Sequence, residues 1–218
     1  MKAEVVSVNA GPSNSFDLPD GERGKRSAIR KAPQQQPLLV TAGGFVGDEV
    51  VDAAHGGANR AVHLFALDSY RVFEAKAGHS LPIPTFGENL TVEGYDETMA
   101  RVGDTLKVGE ALLQVTMPTE RCALPGRWVG VPTLLKWMIE TLRGGLYLRV
   151  LESGRVAAGD ACGLTDRGPE GWTIEALNRL MYREISDSAK LGAAQELPEL
   201  APEFKQRLLL HHQKRREE

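Results

Sequence analysis

The sequence predicts an α+β protein, with a β-barrel-like body of short strands over residues 1–166 and a small all-α unit over residues 167–218. Three observations lead there. Short β-branched and apolar runs alternate with turn residues through the first part of the chain, where most of the 23 glycines and 12 prolines fall. Two stretches read as hairpins. From about Thr173 onwards, apolar residues recur at helical spacing instead.

The elements follow in order. AEVVSVNA (3–10), QPLLVT (36–41) and GDEVVDA (47–53) read as strands. RAVHLFAL leads into DSYRVFEAKAG, where Leu67, Tyr70, Val72, Phe73 and Ala77 favour a helix ending at Gly78. After the loop LPIPTFGEN comes the strand LTVEG, then a hairpin in DTLKVGEALLQVTMP turning at Val108-Gly109-Glu110. PTLLKWMIETLR is a helix with Pro132 near its first turn. GLYLRVLESGRVAAGDACGLTDR reads as another hairpin, turning at Ser153-Gly154. Thr173 is a suitable N-cap for a helix with Ile174, Leu177, Leu180, Met181 and Ile185 on one face. PEFKQRLLLHHQKRREE gives a last amphipathic helix with Phe204, Leu208 and Leu209 on one side.

Composition narrows the function. Hydrophobic residues at 42% and charged residues at 25% suit a globular chain with a core of its own. A net charge of −3 lacks the basic footprint of general nucleic-acid binding. The cluster Lys214-Arg215-Arg216 is short and is followed by two glutamates, so the C-terminal helices are expected to pack or dimerise, with a homodimer as the candidate assembly. Only Cys122 and Cys162 occur, with no CxxC pair, so a four-thiolate cluster is excluded and a reducing compartment is indicated. MKAEVVSVNAG has no apolar signal region, and no run is long enough to span a bilayer; the expected location is cytoplasmic, without membrane contact. Phosphate-loop, dinucleotide-fingerprint, zinc-protease and nucleophile-elbow motifs are all missing.

Four segments carry residues suited to chemistry. In His55-Gly56-Gly57-Ala58-Asn59-Arg60, the glycines let backbone N–H groups cup an anion, Arg60 adds a forked cation and His55 can move a proton. Alone, the segment also reads as a surface turn with an incidental histidine. Lys25-Arg26-Ser27-Ala28-Ile29-Arg30-Lys31 would, as a strand, place Lys25, Ser27, Ile29 and Lys31 on one face, suited to an anion or simply solvated. Cys122 follows an apolar strand beside Arg121, a cation able to lower a thiol pKa; the plainer alternative is a small buried hydrophobe, which is the reading for Cys162. In Phe86-Gly87-Glu88-Asn89, Glu88 and Asn89 either orient a ligand or hydrogen-bond a turn.

Taken in order, SVNAG (7–11), AIRK (28–31), GGFVGDEVVDAAHGGANRAV (43–62), FGENLTVEG (86–94), RVGDTLKVGEALLQVT (101–116), Cys122 and GLYLRVLESGRVAAGD (145–160) resemble the MOSC family, related to the C-terminal part of molybdenum-cofactor sulfurases, and within it the YiiM-like branch. The resemblance spans nearly the whole chain. It implies a mostly antiparallel β-barrel-like domain with a three-helix C-terminal domain. It further implies molybdenum cofactor (molybdopterin) as the bound group, Cys122 as the molybdenum ligand and reduction of N-hydroxylated compounds such as 6-hydroxylaminopurine. Cys122 and His55 would be the catalytic residues. Ser27, Lys31, Gly56, Gly57, Asn59, Arg60, Glu88 and Asn89 would bind the cofactor or substrate. With no flavin fingerprint and no iron–sulfur ligands, electrons would come from a separate reductase. A Cys122 persulfide carrier, or a non-catalytic pterin- or anion-binding module, are the alternatives. The approach to the cysteine, MPTERC, differs from the family's QPRxPC-like segment.

Overall fold

The computed structural model describes residues 3–184 and 187–217; Ile185, assigned above to an apolar helix face, and the Arg216 side chain of the basic cluster lie outside the described residues. The chain runs through β1 (Glu4–Ala10), β2 (Asn14–Phe16), β3 (Lys25–Ser27), β4 (Ala32–Pro33), β5 (Leu38–Thr41) and β6 (Gly44–Phe45). Two single turns of 3-10 helix follow at Ala53–His55 and Ala58–Arg60. Then come β7 (Val62–Ala66), α1 (Leu67–Ala77), β8 (Leu90–Glu93), β9 (Thr105–Val108) and β10 (Ala111–Pro118). The remainder is α2 (Leu124–Trp128), α3 (Leu134–Thr141), β11 (Leu146–Glu152), β12 (Gly154–Val156), β13 (Cys162–Asp166), α4 (Ile174–Tyr182), α5 (Ser188–Gln195) and α6 (Pro202–Glu217).

The class is the α+β class that the sequence predicts. Eight strands form one sheet in the order β13-β9-β10-β11-β7-β8-β1-β4, antiparallel except for β7–β8, which α1 joins as a crossover. The sheet curls until the segment ahead of β13 reaches β1: Val5 N–H donates to the Asp160 carbonyl at 2.9 Å and Cys162 N–H to that of Ala3 at 2.8 Å. Among the described residues, an isolated bridge of Glu4 with Ala161 links these edges and no continuous strand ladder closes the barrel-like body. Inside it, Val5, Val8, Leu64, Leu90, Leu106, Leu113 and Leu148 are buried in one core. A second core lies under α1 and α3, around Phe65, Tyr70, Phe73, Phe86 and Leu134. The helices α4, α5 and α6 build a third directly on the sheet, where Leu177, Leu180, Met181, Phe204 and Leu208 pack with Val102, Met117 and Tyr147.

Several local expectations hold. α1 ends at Gly78 and the β9–β10 hairpin turns at Gly109-Glu110. The Thr173 side chain accepts from Ala176 N–H to cap α4. Three expectations do not. Residues 47–53 form no strand; Asp48 is drawn into bonds with Gly11, Lys31 and Asn89, Asp52 caps the following turn, and Val50 and Val51 are left exposed. Residues 145–166 are not a hairpin: β11 pairs with β10 and β7, β12 with β5, and β13 with β9. Gly154 explains the diversion, since a Cβ there would fall 2.4 Å from the Glu110 carbonyl carbon, an approach to the β9–β10 turn that only glycine permits. Leu209 turns outward at 38% exposure, and the buried stripe of α6 is Phe204, Leu208 and His212 at successive turns. Among the described residues, no helix is long and apolar enough to cross a membrane.

Candidate functional site

A cleft of about 730 Å³ opens between the β3–β4 region, residues 43–61, the loop after β10 and the start of β11. That volume falls in the range of ~300–1,000 Å³ usual for small-molecule sites. Of the residues singled out in the sequence, Ser27, Lys31, His55, Gly56, Gly57, Arg60, Asn89 and Cys122 line it. Glu88 and Asn59 do not. Glu88 is fully buried, accepts from the Tyr70 hydroxyl at 2.6 Å, Thr91 Oγ1 at 3.0 Å and Phe86 N–H at 3.1 Å, and serves the wall behind the site. Asn59 points away, its amide donating to Glu203 of α6.

Lys25, Ser27, Ile29 and Lys31 all reach the cleft, but Arg26 and Ala28 line it too and β3 ends at Ser27, so the segment is not the alternating strand expected. Arg30 packs instead over Phe16, 5.1 Å from the ring centroid. Lys31 is ion-paired with Asp48, both side chains nearly buried. The same carboxylate accepts from Asn89 Nδ2 at 2.8 Å, while Asn89 Oδ1 accepts His63 N–H at 3.0 Å. Asn89 therefore holds three segments together and has few bonds left for a ligand. Gly57 sits at φ 104°, left-handed territory that a Cβ would strain, and turns the backbone between His55 and Arg60. Arg60 donates to the Gly56 carbonyl at 3.2 Å; its buried Nε has no hydrogen-bond partner.

His55 Nδ1 lies 2.9 Å from the Tyr147 hydroxyl. Burial, opposed by Asp52 and assisted by Arg60 and Arg207, lowers the His55 pKa, so the imidazole is neutral at neutral pH. Tyr147 is pushed up, chiefly by burial, and keeps its proton. Its ring centroid is 5.4 Å from that of His63, which faces it across the β7–β11 pairing. His63 is pushed down to about 3, again chiefly by burial, and its sealed Nε2 has no hydrogen-bond partner. Sequence reading missed Tyr147, His63, Asp48 and Glu203. Their signal is a cross-strand register or a contact far along the chain, which no local motif carries.

Cys122 is half-buried on the loop between β10 and α2 and opens into the cleft. The expected role of Arg121 beside it is corrected. Its guanidinium turns away, 4.7 Å from the centroid of the Tyr182 ring in α4. Burial pushes the thiol pKa up; the Leu124 backbone N–H and, more weakly, Lys25 pull it down. Cys162 is buried in the barrel core, as predicted. Among the described residues, no three His, Cys, Asp or Glu side chains converge on a metal position.

Residues 52–162, half of the chain, match the family model of the MOSC domain. The chain belongs to the MOSC domain family. The matched stretch holds His55, Gly56, Gly57, Arg60 and Cys122, while Ser27 and Lys31 enter the cleft from outside it. The chain is 32% identical over 191 residues to the uncharacterized protein YflK of Bacillus subtilis, covering 86% of each. It is 30% identical over 176 residues to a Gibberella moniliformis protein named "Reductase", covering 79% of this chain but 31% of that longer protein. The crystal structure of YiiM from Geobacillus stearothermophilus superposes with a TM-score of 0.81 at 25% identity, covering 96% of this chain and 99% of that one. The protein is thus a YiiM-like MOSC protein, of a family associated in general with molybdenum cofactor.

Proposed function

We propose that this MOSC protein binds molybdenum cofactor and reduces N-hydroxylated compounds such as 6-hydroxylaminopurine, with Cys122 as the molybdenum ligand. The observation that carries the reading is a single half-buried thiol opening into a cleft whose walls bring Lys25, Lys31 and Arg60 together. The residues present fit such a group. Arg60 has a buried Nε without a partner, and the Gly57 turn leaves open space where a side chain would stand. Those two, with Lys25 and Lys31, would hold the anionic pterin phosphate. When bound, the cofactor supplies a two-electron redox centre. Its metal would also keep the Cys122 sulfur deprotonated, against the upward push of burial.

The chain's own residues then position and protonate. Conversion of an N–OH group to N–H takes two electrons and two protons and releases water. Both protons come from solvent, and His55, 2.9 Å from the Tyr147 hydroxyl, would relay them to the departing oxygen through its imidazolium form, which burial makes the stronger acid. Electrons would arrive from a separate reductase. Wild type and Cys122→Ser, expressed in a cofactor-competent host and purified without air, are the test. Near-stoichiometric molybdenum lost in the variant is expected. Equal hydroxylaminopurine reduction by wild type and Cys122→Ala would overturn the scheme. Cyanide-labile sulfur on Cys122 of a metal-free wild type would favour a persulfide carrier.

A further inference from the structure

The C-terminal helix reaches the cleft from behind. Glu203, in the first turn of α6, stands 3.8 Å from the Arg60 guanidinium and accepts from the Asn59 amide at 3.1 and 3.3 Å. One turn on, Arg207 is ion-paired with one carboxylate oxygen of Glu120. The other oxygen of Glu120 lies 3.7 Å from Arg60. Arg60 and Glu120 line the cleft, whereas Glu203 and Arg207 do not. Arg60 is only 10% exposed, yet both of its carboxylate neighbours stand at ion-pair distance and its one hydrogen bond goes to the Gly56 carbonyl. The guanidinium is held with donor capacity to spare.

We propose that α6 sets the anion affinity of the Gly56–Arg60 turn: Glu203 competes with a bound anion for Arg60, and Arg207, by holding the second oxygen of Glu120, weakens the same competition from Glu120. This rests on the reading of that turn as the holder of an anionic phosphate. Glu203 and Arg207 are positioning residues, acting through Arg60. The four side chains alternate in sign, so removing one partner redirects its neighbour as well as deleting a charge. Burial, with the nearby Arg60 charge adding to it, lowers the Arg207 pKa to about 10.

The two variants should move affinity in opposite directions. Inorganic phosphate is titrated at low ionic strength into full-length protein, with chemical shifts and melting temperature recorded together. Glu203→Gln retains an acceptor for Asn59 and should bind phosphate about two- to fivefold more tightly, the scale of a partly exposed ion pair. Arg207→Met releases Glu120 onto Arg60 and should weaken binding by a similar factor, with Arg207→Lys restoring it. A merely structural role of α6 would shift both variants the same way. Should Arg207→Met not fold, Glu120→Gln reads the same branch by tightening binding, and no tightening overturns the proposal. Phosphate that fails to bind, or binds equally to Arg60→Met, overturns the anion reading of the turn itself. Phosphate binding lost in Arg60→Met but unmoved by Glu203→Gln and Arg207→Met overturns the role of α6 alone.

Discussion

His63 shows how a single buried residue can tie stability to pH. Its ring is walled in beside Tyr147, with Nε2 sealed from solvent and set where a Cβ on Gly145 would come within 2.7 Å. Burial holds its pKa near 3, far below the ~6.5 of a free histidine. The unfolded chain therefore binds a proton between those values while the folded chain does not. Stability from this residue is fully present above pH ~6.5 and is lost as the pH falls towards about 3, at up to ~1.4 kcal/mol per pH unit. His55 acts in the same direction and less strongly. His63→Gln, which keeps a polar group without the titration, should flatten the acid limb of a melting-temperature profile between pH 6.5 and 4. An acid limb of unchanged slope would show that His63 is not the group that charges on unfolding.

At the scale of elements, the sequence shows what each segment is more readily than whom it meets. α1, the β9–β10 hairpin and the Thr173 cap rest on contacts within a few residues, and their patterns are visible in the chain itself. β12 and β13 rest on partners in β5 and β9, chosen because Gly154 packs on the Glu110 backbone, and no local pattern announces that. The site divides in the same way. Cys122 and the Gly56-Gly57 turn stand out by residue type, whereas Asn59 meets Glu203 across 144 positions of chain. α6 gives a compact test of burial against pattern. Leu208 is fully buried among Leu177, Leu180 and Phe204, while its neighbour Leu209 is 38% exposed. Leu208→Ala should cost about 2–5 kcal/mol, and Leu209→Ala under about 1 kcal/mol, by urea denaturation. Equal costs would mean that α6 does not bury Leu208 while turning Leu209 to solvent.

Across the whole molecule, the barrel-like body and the C-terminal helices share a core. Met117 and Tyr147 come from β10 and β11, yet they pack with Leu177, Met181, Phe204 and Leu208. Backbone bonds cross the same seam, with Ala201 N–H donating to the Thr116 carbonyl at 3.1 Å and Ile174 N–H to that of Ala100 at 2.8 Å. Each fully buried large apolar side chain contributes roughly 1.5–3 kcal/mol, so the helical side of this core alone contributes on the order of 10 kcal/mol. Part of that gross term would be lost if the helices parted from the body, set against the conformational entropy that parting would release. The helices should therefore unfold with the body in one transition. Far-ultraviolet circular dichroism follows all the helices, and Trp172 packs against the shared core while Trp128 and Trp137 lie near the cores under α2 and α3. Melts followed by dichroism and by fluorescence of a variant retaining only Trp172 should coincide, and Leu208→Ala should lower both midpoints together. A separate, earlier transition at Trp172 would instead make the helices an independently melting unit, and Glu203 and Arg207 would then part from Arg60 and Glu120 before the body unfolds.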